Sequence, residues 1–224
     1  MTEAAIKRAK KQKFNRILLI ISAVILAVTI VLWIVQFNIT NSRAIPQLVE
    51  YYEPGEYVEI GDNFFFDATE HMNGYSIKVN SAKLYDYEKY LIDNGHNELL
   101  ETLKKNGRDH SEYLVMLDVN IKNEDNKTGK VMVRKFTLYN NALYLMSDFE
   151  VWCEIDPYFK GYSSLMFQAD TENKMHIPFT PSDYDFNTAG DEIERRLLEE
   201  DFYFCICEFP VRKMIRVPIE HCVD

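Results

Sequence analysis

Residues 17–37 form an apolar run without a single charge, and beyond them hydrophobic and polar positions alternate in short stretches divided by turn residues. The two regimes predict different structures. Twenty-one residues at ~1.5 Å rise make a helix of ~31 Å, enough to cross a hydrocarbon core of ~30 Å. Lys7, Arg8, Lys10, Lys11, Lys13 and Arg16 precede the run, with Glu3 the one acid among them. A basic flank beside a first apolar segment keeps its side cytoplasmic. Residues 1–16 therefore read as a cytoplasmic segment, 17–37 as a transmembrane helix in the cell membrane, and everything later as extracytoplasmic. A cleaved signal peptide has a shorter apolar region, about 7–15 residues, and a small-residue cleavage site. The exit here, Gln36-Phe37-Asn38-Ile39-Thr40-Asn41-Ser42, fits that poorly, so the span reads as an uncleaved signal anchor. Residues 38–55 read as a polar stalk closing on the Pro54-Gly55 turn, and 56–224 as one domain.

Within that domain period-2 alternation dominates. In residues 113–123 one face carries Tyr113, Val115, Leu117, Val119 and Ile121, while the other turns to Asp118, Asn120 and Lys122. That is a strand with one side against a core. The polar run 124–129 turns the chain into 130–139, where Val131 and Val133 lie on one phase and Phe136 and Leu138 on the other, which predicts a hairpin with a bulge near Lys135. Further strands are expected at 57–60, 74–84, 142–146, 151–155, 164–168, 202–208 and 211–219, a spacing that suits an all-β sandwich or barrel. Two short helices interrupt it. One is marked by Leu99, Leu100 and Leu103 ahead of Gly107, the other by Asp191 and Glu194 ahead of Leu197 and Leu198.

Gly74-Tyr75-x-Ile77-x-Val79, the alternating run 113–123, Phe136-x-Leu138, and Gly161 followed by Leu165-x-Phe167 together resemble the immunoglobulin-like domains of unknown function carried by Gram-positive surface proteins and lipoproteins. The resemblance covers about residues 57–179 and rests on hydrophobic spacing. It implies a mainly β, immunoglobulin-like β-sandwich behind the membrane helix, here with two short helical insertions. It implies no shared catalytic residues. The chain departs from the pattern by inserting residues 86–110 and by extending from Pro181 onward.

Charge narrows the partners. Of 25 Lys/Arg and 35 Asp/Glu, six basic and one acidic residue precede the span, which leaves 19 against 34 after it. Nucleic acid is excluded as a ligand, because its binding rests on clustered Lys/Arg neutralising phosphate. Cys153, Cys205, Cys207 and Cys222 allow disulfides outside the cytoplasm or four buried thiols, and Cys-x-Cys lacks the spacing of structural zinc. The histidines, His71, His96, His110, His176 and His221, accompany no recognised nucleophile motif. The most specific polar pattern is Asp183, Asp185, Asn187, Asp191 and Glu194, which fall at positions 1, 3, 5, 9 and 12 of a calcium-type loop. Thr188 stands where that loop needs glycine, and no incoming helix precedes it. The chain reads as a membrane-anchored interaction module, not an enzyme, holding a protein, peptide or envelope glycan. A calcium-dependent envelope protein, or an enzyme acting on envelope material, is the alternative.

Overall fold

The apolar run lies inside one helix, α1 (Glu3–Arg43), whose stretch Asn15–Ile39 is long and apolar enough to cross a membrane. Every side chain of residues 15–39 is exposed within its unit. The hydroxyls of Ser22 and Thr29 donate to the carbonyls of Leu18 and Ile25 one turn back, so both are satisfied within the helix. The computed structural model describes residues 3–43, 47–106, 111–156, 159, 161–181 and 190–222, in two compact units, Met1–Pro46 and Gln47–Asp224. The expected stalk at 38–55 is thereby corrected. Helix α1 continues through Arg43, and β1 (Leu48–Tyr52) is already a strand of the sheet, parallel to β9 (Val211–Val217).

The second unit is built around β4 (Tyr113–Asn123), antiparallel to β3 (Tyr75–Asp86) on one side and to β7 (Thr171–Pro181) on the other. From β7 the sheet continues through β6 (Tyr144–Ser147), β5 (Thr137–Tyr139), β8 (Phe202–Cys207), β9 and β1, while β10 (Ile219–His221) closes the other end against β3. The short β2 (Val58–Glu59) also pairs β3. Strands β9 and β10 are separated only by Pro218, yet they lie near opposite ends of the strand order. A flat ten-stranded sheet cannot satisfy that connection, so the sheet curls on itself into a half-barrel. One curled mixed sheet thus replaces the expected two-sheet immunoglobulin-like sandwich; the mainly β content and the N-terminal helix stand.

The alternation in β4 has the expected phase. Val115, Leu117, Val119 and Ile121 are fully buried in the main core, with Ile77 and Val79 of β3 and Ile177 and Phe179 of β7. The opposite face differs from expectation. Leu114 and Met116 are buried as well, under Tyr87 and Leu91 of α2 (Tyr87–Asp93), Leu100 and Leu103 of α3 (Asn97–Lys105), and Val151 of α4 (Phe149–Ile155). The insertion at 86–110 supplies most of this second core. Residues 151–155, expected as a strand, form α4 because the Asp148 carboxylate accepts from the backbone N–H of Glu150 and Val151 and so nucleates the first turn.

The expected hairpin of 113–123 with 130–139 does not form. Val131 makes one bridge to Leu165, a 3-10 turn at Val133–Lys135 resets the phase, and only Thr137–Tyr139 becomes a strand, paired to β6 and β8. The phase break expected as a bulge near Lys135 is this turn. Strand β7 lacks a clear alternating pattern because its first half, Thr171-Glu172-Asn173-Lys174, is polar, and the core-facing Met175, Ile177 and Phe179 follow with Pro178 and Pro181 also buried among them.

Two changes test this arrangement. Val119→Asp places an unpaired carboxylate in the core and is expected to cost several kcal/mol, rivalling the stability of the unit, whereas Lys122→Ala on the polar phase shifts the urea midpoint little. At Gly129 a Cβ would stand 1.8 Å from the His71 carbonyl oxygen, so Gly129→Ala must push two stitched loops apart. A loss of about 1–3 kcal/mol or more is expected in the same titration.

Candidate functional site

Helices α2, α3 and α4 cover the outer side of β4 at Leu114 and Met116, whereas among the described residues of the Gln47–Asp224 unit the outer face of β1, β9, β8, β5 and β6 carries no helix. Register decides what that face shows, because residues directly opposite on neighbouring strands share a side. One row runs Tyr51, Met214, Cys205, Thr137 and Met146; the next runs Arg216, Tyr203, Tyr139 and Tyr144. Four tyrosines therefore gather from four strands. The rings of Tyr51 and Tyr203 meet edge to face at 5.1 Å, and Tyr139 stacks on Tyr144 at 6.0 Å. Tyr51 is 65% exposed and Tyr144 43% exposed, while Cys205 and Met214 lie buried between the rings. The Tyr139 hydroxyl donates to the Met214 sulfur at 3.4 Å.

Two hollows open on this face. The larger, about 670 Å³, lies at the β1 end between Tyr51, Tyr139 and Tyr203, with Asn140, Asn141 and Glu200 on its rim. The smaller, about 330 Å³, lies at the β6 end between Phe66, Phe136, Tyr144 and Phe149. The ion pair of Glu208 with Arg212, at 2.7 Å, links them, since Glu208 lines the smaller hollow and Arg212 the larger. The Arg212 Nε is buried without a hydrogen-bond partner among the described residues.

Three ionisable groups beside this ion pair, Cys205, Tyr139 and Tyr144, are held neutral. Burial, and then the neighbouring Glu208 carboxylate, push the Cys205 thiol up to about 12. Burial, and then the nearby Cys205, push Tyr139 up to about 12, and burial raises Tyr144 as well. A thiol and phenols so shifted are hydrogen-bonding and packing groups at neutral pH, not nucleophiles or bases.

The calcium-type loop falls largely outside the described residues. Asp183, Asp185 and Asn187 lie there, as does the side chain of Asp191, whose backbone begins α5 (Gly190–Glu199). Glu194 is described and faces His221, with oxygen and nitrogen 3.5 Å apart. Among the described residues no group of three or more His, Cys, Asp or Glu side chains is arranged to hold a metal ion. All four cysteines are free thiols: Cys153 exposed on α4, Cys205 and Cys207 buried in β8, and Cys222 half-buried. The tyrosine face was missed from sequence. Its signal was present in Thr137-x-Tyr139 and Tyr144-x-Met146, where the outward phase carries aromatic and apolar groups in place of charge.

Residues 49–213 match a family described as a domain of unknown function, DUF5028. The match takes in most of β1, all of β2–β8 and the start of β9, and so nearly the whole tyrosine face. No curated protein and no solved structure matches the chain.

The raised thiols predict an alkaline weakness. An unfolded cysteine titrates near 9.0, while Cys205 in the fold titrates at about 12 and Cys207 at about 11. Above pH 9 the unfolded chain loses protons that the folded one keeps, so stability present below pH 9 is lost as pH rises toward 12. Denaturant titrations at pH 8 and 10.5 are expected to show the fall, and Cys205→Ala to reduce its slope by up to about 1.4 kcal/mol per pH unit.

Proposed function

We propose that this chain, which belongs to the DUF5028 family, is a membrane-tethered, non-enzymatic binding module whose tyrosine face holds a glycan of the cell envelope. The observation that carries the reading is the convergence of Tyr51, Tyr139, Tyr144 and Tyr203 on one uncovered sheet face, with the amides of Asn140 and Asn141 and the Glu200 carboxylate at its rim. Tyrosine offers a flat apolar body with a polar tip, which suits the C–H faces and hydroxyls of a sugar ring, and planar amides and carboxylates supply directional hydrogen bonds. The upward shifts of Cys205 and Tyr139 leave these two groups protonated, which suits packing and hydrogen bonding on a binding face.

The basic flank of residues 1–16 supports a cytoplasmic N-terminus with the Gln47–Asp224 unit outside, where such a polymer is found. The likeness in spacing to exported Gram-positive domains favours the same placing. A peptide is the second reading, favoured by the edge strand β1, which among the described residues pairs only with β9 and leaves its other side to accept an added strand.

Full-length protein in nanodiscs, titrated with a panel of envelope oligosaccharides, tests the main reading. Binding is expected, weakened about tenfold, or ~1.4 kcal/mol, by Tyr203→Ala and by Tyr51→Ala. Binding of extended peptides alone, with the saccharides inert, sinks the glycan reading and supports strand addition at β1. Protease added to intact spheroplasts is expected to digest the domain and spare a tag on residues 1–16; a protected C-terminal tag overturns the topology.

A further inference from the structure

The smaller hollow carries an electrostatic exception. Five arginines of the Gln47–Asp224 unit are described, and Arg195, Arg196, Arg212 and Arg216 each pair with a carboxylate at 2.7–3.0 Å. Arg134 pairs with none among the described residues, and neither does its neighbour Lys135. With 34 acidic against 19 basic side chains after the span, Arg134 is the exception among these arginines, and Lys135 stands beside it as a second cation without a carboxylate partner, as several exposed lysines of the unit also are.

Both cations are nevertheless held in place. The Arg134 guanidinium carbon lies 4.3 Å from the centre of the Phe149 ring, and the Lys135 ammonium 4.2 Å from that of Phe66. These contacts attract the charge through the ring face and leave the N–H groups unspent. The 3-10 turn that presents the pair is fixed by the fully buried Val133 between them and the core, and by the Arg134 N–H donating to the Ser163 carbonyl at 3.2 Å. Phe65, Phe136 and Ser147 complete the walls. Glu208 also lines the hollow, but its charge is already met by Arg212.

We infer that this hollow is a site for an oxyanion, a carboxylate or phosphate carried by the bound ligand, so that the glycan on the tyrosine face is an acidic one. A guanidinium with a free planar fork beside an ammonium is the arrangement that recognises either oxyanion, and a cationic ligand is repelled there. At about 330 Å³ the hollow takes one anionic group with a small apolar attachment, and the larger hollow beyond the Glu208–Arg212 pair takes the sugar rings. The acidity of the unit as a whole does not forbid this, because exposed charges more than about 8–10 Å away are largely screened at physiological salt. The inference rests on the glycan reading for the body of the ligand and on Arg134 and Lys135 alone for its charge.

The experiment uses full-length protein in phosphatidylcholine nanodiscs and three sugars that differ only at C6: glucose, glucuronate and glucose 6-phosphate. Saturation-transfer NMR gives their relative affinities, and the arginine side-chain N–H resonance of Arg134 is followed while inorganic phosphate and acetate are titrated. At low salt the charged sugars are expected to bind at least tenfold more tightly than glucose, with the advantage shrinking as salt rises. The advantage is expected to fall below twofold in the Arg134→Gln, Lys135→Gln double variant, which keeps its melting transition. Preference for glucuronate identifies a uronate polymer, and preference for the phosphate a sugar-phosphate polymer. A shift of the Arg134 resonance with phosphate or acetate, when no sugar binds, upholds the anion site and removes the glycan reading. Sugar binding without dependence on charge, or a charge advantage that survives the double variant, overturns the inference and leaves the glycan reading intact.

Discussion

Burial of β4 on both faces is the constraint from which the rest of the folded unit follows. All eleven of its residues pair with β3 along one edge, and the nine from Val115 to Asn123 pair with β7 along the other. One face meets the main core through Val115, Leu117, Val119 and Ile121. The other is apolar only at Leu114 and Met116, and there α2, α3 and α4 must lie. Beyond Met116 that face turns to Asp118, Asn120 and Lys122, and the helical cover ends with the apolar residues. Asp118 there pairs with Lys174 at 2.8 Å, and Asn80 reaches from β3 to both Asp118 and Asn120. The outer side of the central sheet is therefore half protein-covered and half solvated.

The far end of β4 is held by a polar device. Asn123 is fully buried, and its amide donates to the carbonyls of Asn126 and Phe167 at 2.8 Å while its oxygen accepts from the Asn126 N–H. A buried amide so satisfied fixes geometry without the cost of an unpaired group. It turns the chain through 124–129 onto the loop at His71, where the Asn126 amide donates to the His71 and Asn73 carbonyls and the Tyr75 hydroxyl to the Gly129 carbonyl. The loops that precede and follow β3 and β4 thus share one set of hydrogen bonds. Glycine at 129 is what lets the two backbones approach.

The candidate site lies in the half of the sheet that β4 does not organise. Helices are committed to β4 and its neighbours, so the outer side of β1, β9, β8, β5 and β6 must be closed by its own side chains. Tyrosine can do this, since the rings shield Cys205 and Met214, with Tyr51 and Tyr144 exposed and the Tyr139 hydroxyl turned to the Met214 sulfur. The same side chains that seal the sheet then form the face proposed for binding, and the 3-10 turn that breaks the expected strand at Lys135 places two cations at its end.

The sequence by itself determined whatever depends on local pattern. The apolar run and its basic flank specify α1, period 2 specifies the phase of β4, and the leucine spacing specifies α3, because each is a matter of which neighbours along the chain share a face. Asp148 could have been read as a helix cap, and Val151-x-Cys153-x-Ile155 concealed it by mimicking alternation. Pairing partners are another matter. That β4 lies between β3 and β7 rather than in a hairpin with 130–139, that β1 joins the sheet from the expected stalk, and that Pro218 carries the chain between the two ends of a curled sheet are decided by contacts distant in sequence. The tyrosine face belongs to this second class. Tyr51, Tyr139, Tyr144 and Tyr203 come from four strands spread over 150 residues, and only cross-strand register, set by burial of the opposite face, brings their rings to one surface.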